Sequence, residues 1–400
     1  MMFFGGTMPP RISFAIAALV LASLAPPARA QDFSTADTQS FLKDLQQRVS
    51  KLEGAPVKAA LSSFNPAIGM AFDAVFHDSN DKASFQFRAA ELSIEAPCDP
   101  YLKGWAVING SNSGVEVEEA ALETTSLPYN LTARGGRLFA AFGRLAHFHD
   151  HELPVVKRPL SLDSYIGNET QADGLEVSWL APAGFYLNAT FGAYNKMGAT
   201  NARQDNLDAR ALDEFTYLGR LNAYADLTDS QSIDLGVDSA WSPKRAVTDA
   251  AGAVTTRRNT WRTLNGLDFI YRYQPPQGGL YRGLSWGAEV LQNDERRFDA
   301  STKLPTDRVR SYAGYSFVEA KFSRRWRGGA MVDLTEDQDD SHRLTKTFTG
   351  FLTCEVTEFQ RLRLAFAESV VNVPSIPKNH TVALQWTGII GKHVHGFRDR

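Results

Sequence analysis

The sequence predicts an all-β fold: a transmembrane antiparallel β-barrel of about 16 strands, preceded by a short periplasmic helix. Three observations carry this expectation. Apolar and polar side chains alternate in short segments along most of the chain. Tight links and longer polar links take turns between those segments. The first thirty residues carry the pattern of an export signal. A sheet that crosses a bilayer must close on itself, because lipid offers no partner to an unpaired backbone amide.

The chain begins with Arg11, an apolar run from Ile12 to Leu24, and the small-x-small site Ala28-Arg29-Ala30. These are the parts of a cleavable signal peptide over residues 1–30. A run of 13 residues falls short of the roughly 20 that a spanning helix needs. Residues 31–58 read as a helix, since Leu42, Leu45, Val49 and Leu52 recur every three or four positions. Asp37 or Thr38 caps it, and Gly54 with Pro56 ends it. Its stripe would suit packing against copies of itself. A homotrimer is one such assembly, and the number of copies stays open.

The barrel is expected over 64–397, with strands at 67–77, 84–96, 101–109, 115–127, 131–145, 173–181, 185–195, 214–227, 231–242, 258–274, 284–296, 308–322, 326–336, 343–358, 361–372 and 380–391. The clearest runs from Phe215 to Leu227. Phe215, Tyr217, Leu221, Ala223, Ala225 and Leu227 share one face, and Thr216, Arg220, Asn222 and Asp226 the other. The last strand puts Val382, Leu384, Trp386 and Ile390 outward and Thr381, Gln385 and Thr387 inward. Short links such as Cys98-Asp-Pro100, Pro182-Ala-Gly184 and Thr228-Asp-Ser230 alternate with the longer 146–172, 196–213, 243–257 and 297–307. Outer-membrane barrels sort short periplasmic turns from long extracellular loops in this way. The stretch 275–283 is the exception, long for a periplasmic turn. Trp241, Trp261, Trp286, Trp326, Trp386, Tyr217, Tyr224 and Tyr271 fit aromatic girdles.

Composition narrows the function. Hydrophobic content of 43% resembles a soluble protein, as barrels do because half of each strand faces water. Net charge of −3 argues against a nucleic-acid partner. Cys98 falls in a turn and Cys354 in a distant strand, so both are expected as free thiols.

The pieces Phe64-Asn-Pro-Ala-Ile-Gly-Met-Ala-Phe72, Gly143-Arg-Leu-Ala-His-Phe-His-Asp-His151, Gly174-Leu-Glu-Val-Ser-Trp-Leu-Ala-Pro182, Glu358-Phe-Gln-Arg-Leu-Arg-Leu364 and Gly391-Lys-His-Val-His-Gly-Phe397 resemble a group of Gram-negative outer-membrane porin-like barrels. That group is related to the phosphate-selective porins, and some members are labelled zinc-regulated TonB-dependent outer membrane receptors. The resemblance implies a channel in the outer membrane, with lipid around it and small hydrophilic solutes inside. The expected form is ungated by TonB, since residues 31–66 are too few for a plug and 67–400 suit roughly 14 to 18 strands.

A barrel of this size holds water, so inward residues set selectivity. The expected pore lining is Arg220, Asp226, Asp234, Asp238, Arg262, Asp268, Arg272, Glu319, Lys321 and Arg363, with Asp73, Asn222, Glu289, Glu355 and Gln385 beside them. Passive diffusion needs no cofactor. The alternative is uptake of zinc or another divalent metal by His147, His149 and His151, which would share one face of a strand at the start of the longest loop. That loop follows the fifth strand, and folded inward it would narrow the pore. A hydrolase using Ser161 and Asp163 near these histidines is a third class, disfavoured because no Gly-x-Ser-x-Gly occurs.

Overall fold

The computed structural model describes Lys43 and residues 66–80, 82–199, 211–248, 254–257, 259–299 and 304–392. All but Lys43 belong to one compact unit, Phe64–Arg400. The expected signal segment, nearly all of the expected helix at 31–58, and His393, His395 and Phe397 lie outside the described residues.

The strands are β1 (Ala67–Ser79), β2 (Lys82–Pro97), β3 (Leu102–Ser111), β4 (Gly114–Thr124), β5 (Leu131–Phe139), β6 (Gln171–Leu180), β7 (Tyr186–Met197), β8 (Thr216–Thr228), β9 (Gln231–Ser242), β10 (Arg245–Thr248), β11 (Val254–Arg257), β12 (Trp261–Tyr273), β13 (Gly283–Asp299), β14 (Leu304–Lys321), β15 (Trp326–Glu336), β16 (Leu344–Thr357), β17 (Gln360–Val371) and β18 (Asn379–Gly391). Sixteen form one closed antiparallel barrel in chain order, and β10 pairs with β11 as a separate hairpin. The seam runs from Gly69 opposite Gly391 to Ser79 opposite Thr381. Closure leaves no strand edge unpaired.

Alternation decides the faces. On β8, Thr216 and Leu218 are buried inward, while Leu221 and Leu227 are exposed outward. Trp241, Trp286 and Trp386 stand on the outer wall. The wall is therefore apolar outside, and the interior carries Asp73, Arg262, Asp268, Glu289 and Arg363, all nearly fully buried. A barrel built to float in water would have the opposite pattern.

Links fall into two sets. At the end where β1 begins they are 98–101, 125–130, 181–185, 229–230, 274–282, 322–325 and 358–359. At the other end they include 80–81, 112–113, 140–170, 198–215 and 337–343. Sorting by parity holds for the longest links but not for 80–81 and 112–113, which are tight turns. The expected loop 297–307 shrinks to 300–303, because β13 and β14 continue their ladder beyond the expected ends. The expected loop 243–257 carries the β10–β11 hairpin. Cys98 is exposed in its link, Cys354 is half-buried on β16, and both thiols are free.

The main departure is at β5. The apolar run Leu138-Phe-Ala-Ala-Phe142 extends the strand pattern to 145, but the ladder stops at Phe139. The chain then turns into the barrel, and Gly143 adopts a left-handed φ of 65°. Apolarity beyond Phe139 reflects packing inside the lumen rather than a longer strand.

Candidate functional site

Residues 140–170 form a loop that fills much of the interior. Phe142, Leu145, Leu153, Val155, Leu162, Tyr165 and Ile166 are buried in one apolar cluster. A short helix α1 (Leu160–Tyr165) packs against β13, β14 and β15. The stem closes where Ala140 N donates to Thr170 O at 2.9 Å and Thr170 Oγ1 returns a bond to Ala140 O at 2.8 Å. At the centre, Arg158 donates to Leu145 O, Phe148 O, Asp150 Oδ1 and Glu169 Oε1 at 2.8, 2.7, 3.0 and 3.2 Å. One planar guanidinium with five donors thus ties both halves of the loop together.

The loop is bonded to the wall around the barrel. Arg144 N donates to Glu289 Oε2 at 3.0 Å, and its side chain pairs with Asp234 at 2.6 Å. Ser161 Oγ donates to Asp333 Oδ2 at 2.6 Å, and Arg262 donates to Tyr165 O at 2.5 Å. Arg363 and Arg88 reach Val155 O and Val156 O at 3.1 and 2.6 Å, and Arg361 reaches His151 O. Bonds to charged partners are stronger than neutral ones, so this docking is specific as well as apolar. Ser161 donates through both its backbone N and its Oγ to a carboxylate on β15, Asp333.

Two β-bulges aim extra charges at the loop. Between β3 and β4, Val107 faces Glu119 and Ile108 faces Val117, so Glu118 is the inserted residue. Glu118 and Glu119 are consequently both buried. Between β1 and β2, Asp73 faces Ala89 and Ala74 faces Phe87, leaving Arg88 as the inserted residue. A bulge re-aims a side chain that strict alternation would send to the other face. Arg88 uses this to bond Asp73 at 2.5 Å.

Opposite these bulges sit two of the predicted histidines. His149 Nδ1 lies 2.9 Å from Glu118 Oε2 and 3.5 Å from Glu91 Oε2, and its Nε2 lies 3.3 Å from Glu119 Oε1. His151 Nδ1 lies 3.2 Å from Glu91 Oε1, and the two rings stack at 5.7 Å. Burial disfavours the imidazolium of His149, but Glu91, Glu118 and Glu119 outweigh it and hold its pKa well above the usual value. His151 is raised in the same way, chiefly by Glu91 against burial. His147 has other surroundings: burial, then Arg220, Arg144 and Arg134, push it well below the usual value, and its ring packs on Phe148. The three histidines do not share a strand face. Residues 146–151 are not strand, and His149 leads into a 3₁₀ turn over Asp150–Glu152.

Between the loop and the β1–β4 wall remains a cavity of about 480 Å³. Its carboxylates are Asp73, Glu91, Glu116, Glu118, Asp150 and Glu169, against the single guanidinium of Arg88. The exposed Asn112 and Ser113 of the β3–β4 link stand at its rim.

The residues expected to line the pore all lie on inward positions, in different surroundings. Arg220 bridges Asp238 and Asp268 at 2.6 and 2.9 Å, and Asp234 holds Arg144. Arg262 and Arg363 bond loop carbonyls. Asp226 is exposed at the end of β8. Arg272, Glu319 and Lys321 line a small cavity of about 40 Å³ at the end where β1 begins. Asp73 takes bonds from Gln385 and Thr387 at 2.8 and 2.9 Å. Asn222 bonds Asp234 at 2.6 Å, and Glu355 meets Arg327 at 3.2 Å. Sequence reasoning missed Arg88, Glu91, Glu118, Glu119, Arg158 and Arg361. The pair Glu118-Glu119 breaks alternation within β4, which is the one sequence signal that marked a bulge.

Comparison with solved structures places this geometry. OprB of Pseudomonas putida aligns with a TM-score of 0.58 at 10% identity, covering 84% of this chain and 97% of that one. The fold is that of an outer-membrane porin. DcaP, an outer membrane channel of Acinetobacter baumannii, aligns at 0.55 and 10% identity over 82% and 96% of the two chains. An anion-selective porin from Comamonas acidovorans aligns at 0.53 and 11% identity over 82% and 99%. Among sequences, an uncharacterized protein of Aquifex aeolicus (strain VF5) is 28% identical over 307 residues, which is 72% of this chain. The match spans 64% of that relative's length. No protein-family pattern matches the chain.

Proposed function

We propose that this protein is a channel of the Gram-negative outer membrane, exported by its 1–30 segment, through which small hydrophilic solutes diffuse passively. The observation that carries this reading is the loop 140–170, folded into a closed sixteen-stranded barrel with carboxylates left along one side of it. Such a loop turns a wide lumen into a narrow charged passage beside the β1–β4 wall. An apolar exterior suits lipid, and a charged interior suits water. The surplus of carboxylates over Arg88 in that passage favours cations, since a ring of acidic side chains lowers the electrostatic cost of a cation and raises that of an anion. Phosphate selectivity, which the resemblance to phosphate-selective porins would suggest, calls for a ring of Lys and Arg, whereas Arg88 is the one such residue among the described residues lining this passage. Ser161 bonded to Asp333 supports a role without hydrolysis.

The test is conductance of the refolded protein in planar bilayers under a potassium chloride gradient. Open channels with a cation-selective reversal potential are expected. Silence overturns the channel, and an anion-selective potential overturns the role given to the acidic wall.

A further inference from the structure

We infer that Glu91, Glu118 and His149 form a binding site for a divalent cation, which latches loop 140–170 to the barrel wall. One ligand atom from each of the three residues lies within 4.8 Å of the others, close enough for a single ion to bridge them. All three residues are buried. They come from β2, the bulge of β4 and the loop, so no one segment presents the set by itself.

The surroundings orient these groups as ligands. Asn109 Nδ2 donates to Glu118 Oε1 at 2.6 Å, which leaves Oε2 turned to His149. Glu118 is 4% exposed, and its Oε2 lies 2.9 Å from His149 Nδ1. On the far side of the imidazole, Nε2 faces Glu119, whose Oε2 accepts from Trp105 Nε1 at 2.8 Å. A carboxylate behind a histidine fixes its tautomer and makes the other nitrogen a better donor. Nδ1 points at two carboxylates, at 2.9 Å from Glu118 and 3.5 Å from Glu91, and a divalent ion taking up that place would displace the proton that Nδ1 otherwise holds there. Metal-ligand distances of about 2.0 to 2.2 Å fit this spread of atoms. Two carboxylates with one imidazole suit a borderline divalent ion over a soft one. Glu91 and Glu118 also line the cavity, whose rim at Asn112 and Ser113 is exposed, so an ion has a way in.

The site differs from the three-histidine set expected from the sequence, since His147 takes no part. It also stands independently of conduction, because binding is measured without a bilayer. The experiment is titration of the refolded protein in detergent with Co²⁺ and Zn²⁺, by calorimetry and by the visible absorbance of bound Co²⁺. One saturable site is expected, with a Co²⁺ band that marks nitrogen and oxygen ligands. Glu118→Gln and His149→Ala should abolish it. Asn109→Ala, which only frees Glu118 to move, should weaken binding roughly tenfold to a hundredfold. His147→Ala and His342→Ala should leave it unchanged. Each variant is first checked for the compact barrel by its mobility on unheated gels. Metal should also slow amide exchange across 140–170. No saturable binding to the wild-type barrel overturns the site, as does binding that survives Glu118→Gln. A protein that conducts yet binds no metal overturns this inference and leaves the channel standing.

Discussion

Gly143→Ala should undock the loop from the wall. Gly143 has φ of 65°, and a Cβ built there would overlap Glu289 Oε1. Glu289 is not at liberty to swing aside without loss. Its Oε2 accepts from Arg144 N at 3.0 Å and from Tyr315 OH at 2.8 Å. A left-handed backbone costs a non-glycine residue about 1 to 2 kcal/mol. A hydrogen bond surrendered by a buried carboxylate costs about 1 to 3 kcal/mol more. A total near ~3 kcal/mol is roughly a hundredfold in the docking equilibrium. Gly143 lies outside every strand, so the effect falls on the loop and on its contact to Glu289 of β13. Amide exchange over 140–170 should accelerate by about that factor where it proceeds through local opening. Single-channel conductance should rise or become noisy as the loop leaves the lumen. Wild-type exchange and conductance in Gly143→Ala would show that the turn at Gly143 does not hold the loop, and the reasoning would fail.

Other predictions follow from the same contacts. Arg220→Ala strands Asp238 in the wall and leaves Asp268 the longer contact to Arg144 at 3.4 Å. Losing one partner of a buried pair costs about 3 to 5 kcal/mol. The temperature at which gel mobility shifts should drop, and adding Asp268→Asn should recover part of it; no drop refutes the pairing. Arg158→Ala removes four bonds within the loop and should expose 140–170 to protease, while Arg158→Lys, a point charge without the fork, should restore little. Above pH 6.5, where His147 is neutral whether the loop is docked or not, lowering the pH should favour docking. Burial pushes Asp163 up to about 7, with Asp150 and Asp333 adding to it against Arg158 and Lys157. The docked loop therefore holds a proton that the undocked loop releases near 3.8, and docking weakens as pH climbs from there towards 7. His149, raised by its three glutamates against burial, contributes fully below 6.5 and loses that contribution as pH rises through its docked value. Loop exchange, corrected for intrinsic rates, should speed up with alkalinity; slower exchange at high pH would contradict both assignments. Finally, Cys98 in its exposed link should react with a maleimide well before the half-buried Cys354 on the lipid-facing wall, and equal rates would refute that placement.

What could be read from the sequence, and what could not, divides along a physical line. The strands and faces were legible because alternation is local: Leu221 and Arg220 differ in polarity, and neighbouring side chains on a strand must point opposite ways. Inward parity of Arg262, Asp268 and Arg363 follows from the same rule. The interior environment did not follow, because it depends on what fills the lumen. Arg262 touches Tyr165 O across 97 residues, and Arg363 touches Val155 O across 208. No window of sequence contains both partners. The bulges were hidden for a related reason. Register belongs to a pair of strands, so Glu118 becomes the extra residue only when Val107 and Ile108 are laid beside β4. Strict alternation would send either Glu118 or Glu119 into lipid, at a cost of up to a few kcal/mol for a charge near the midplane. The bulge instead turns both inward and brings them to His149. The pattern-breaking dipeptide inside a strand thus pointed to the same place as the histidine-rich loop. Sequence spacing grouped His147 with His149 and His151, whereas the fold groups His149 with glutamates of two distant strands. The inferred cation site therefore lies where the strands depart from alternation.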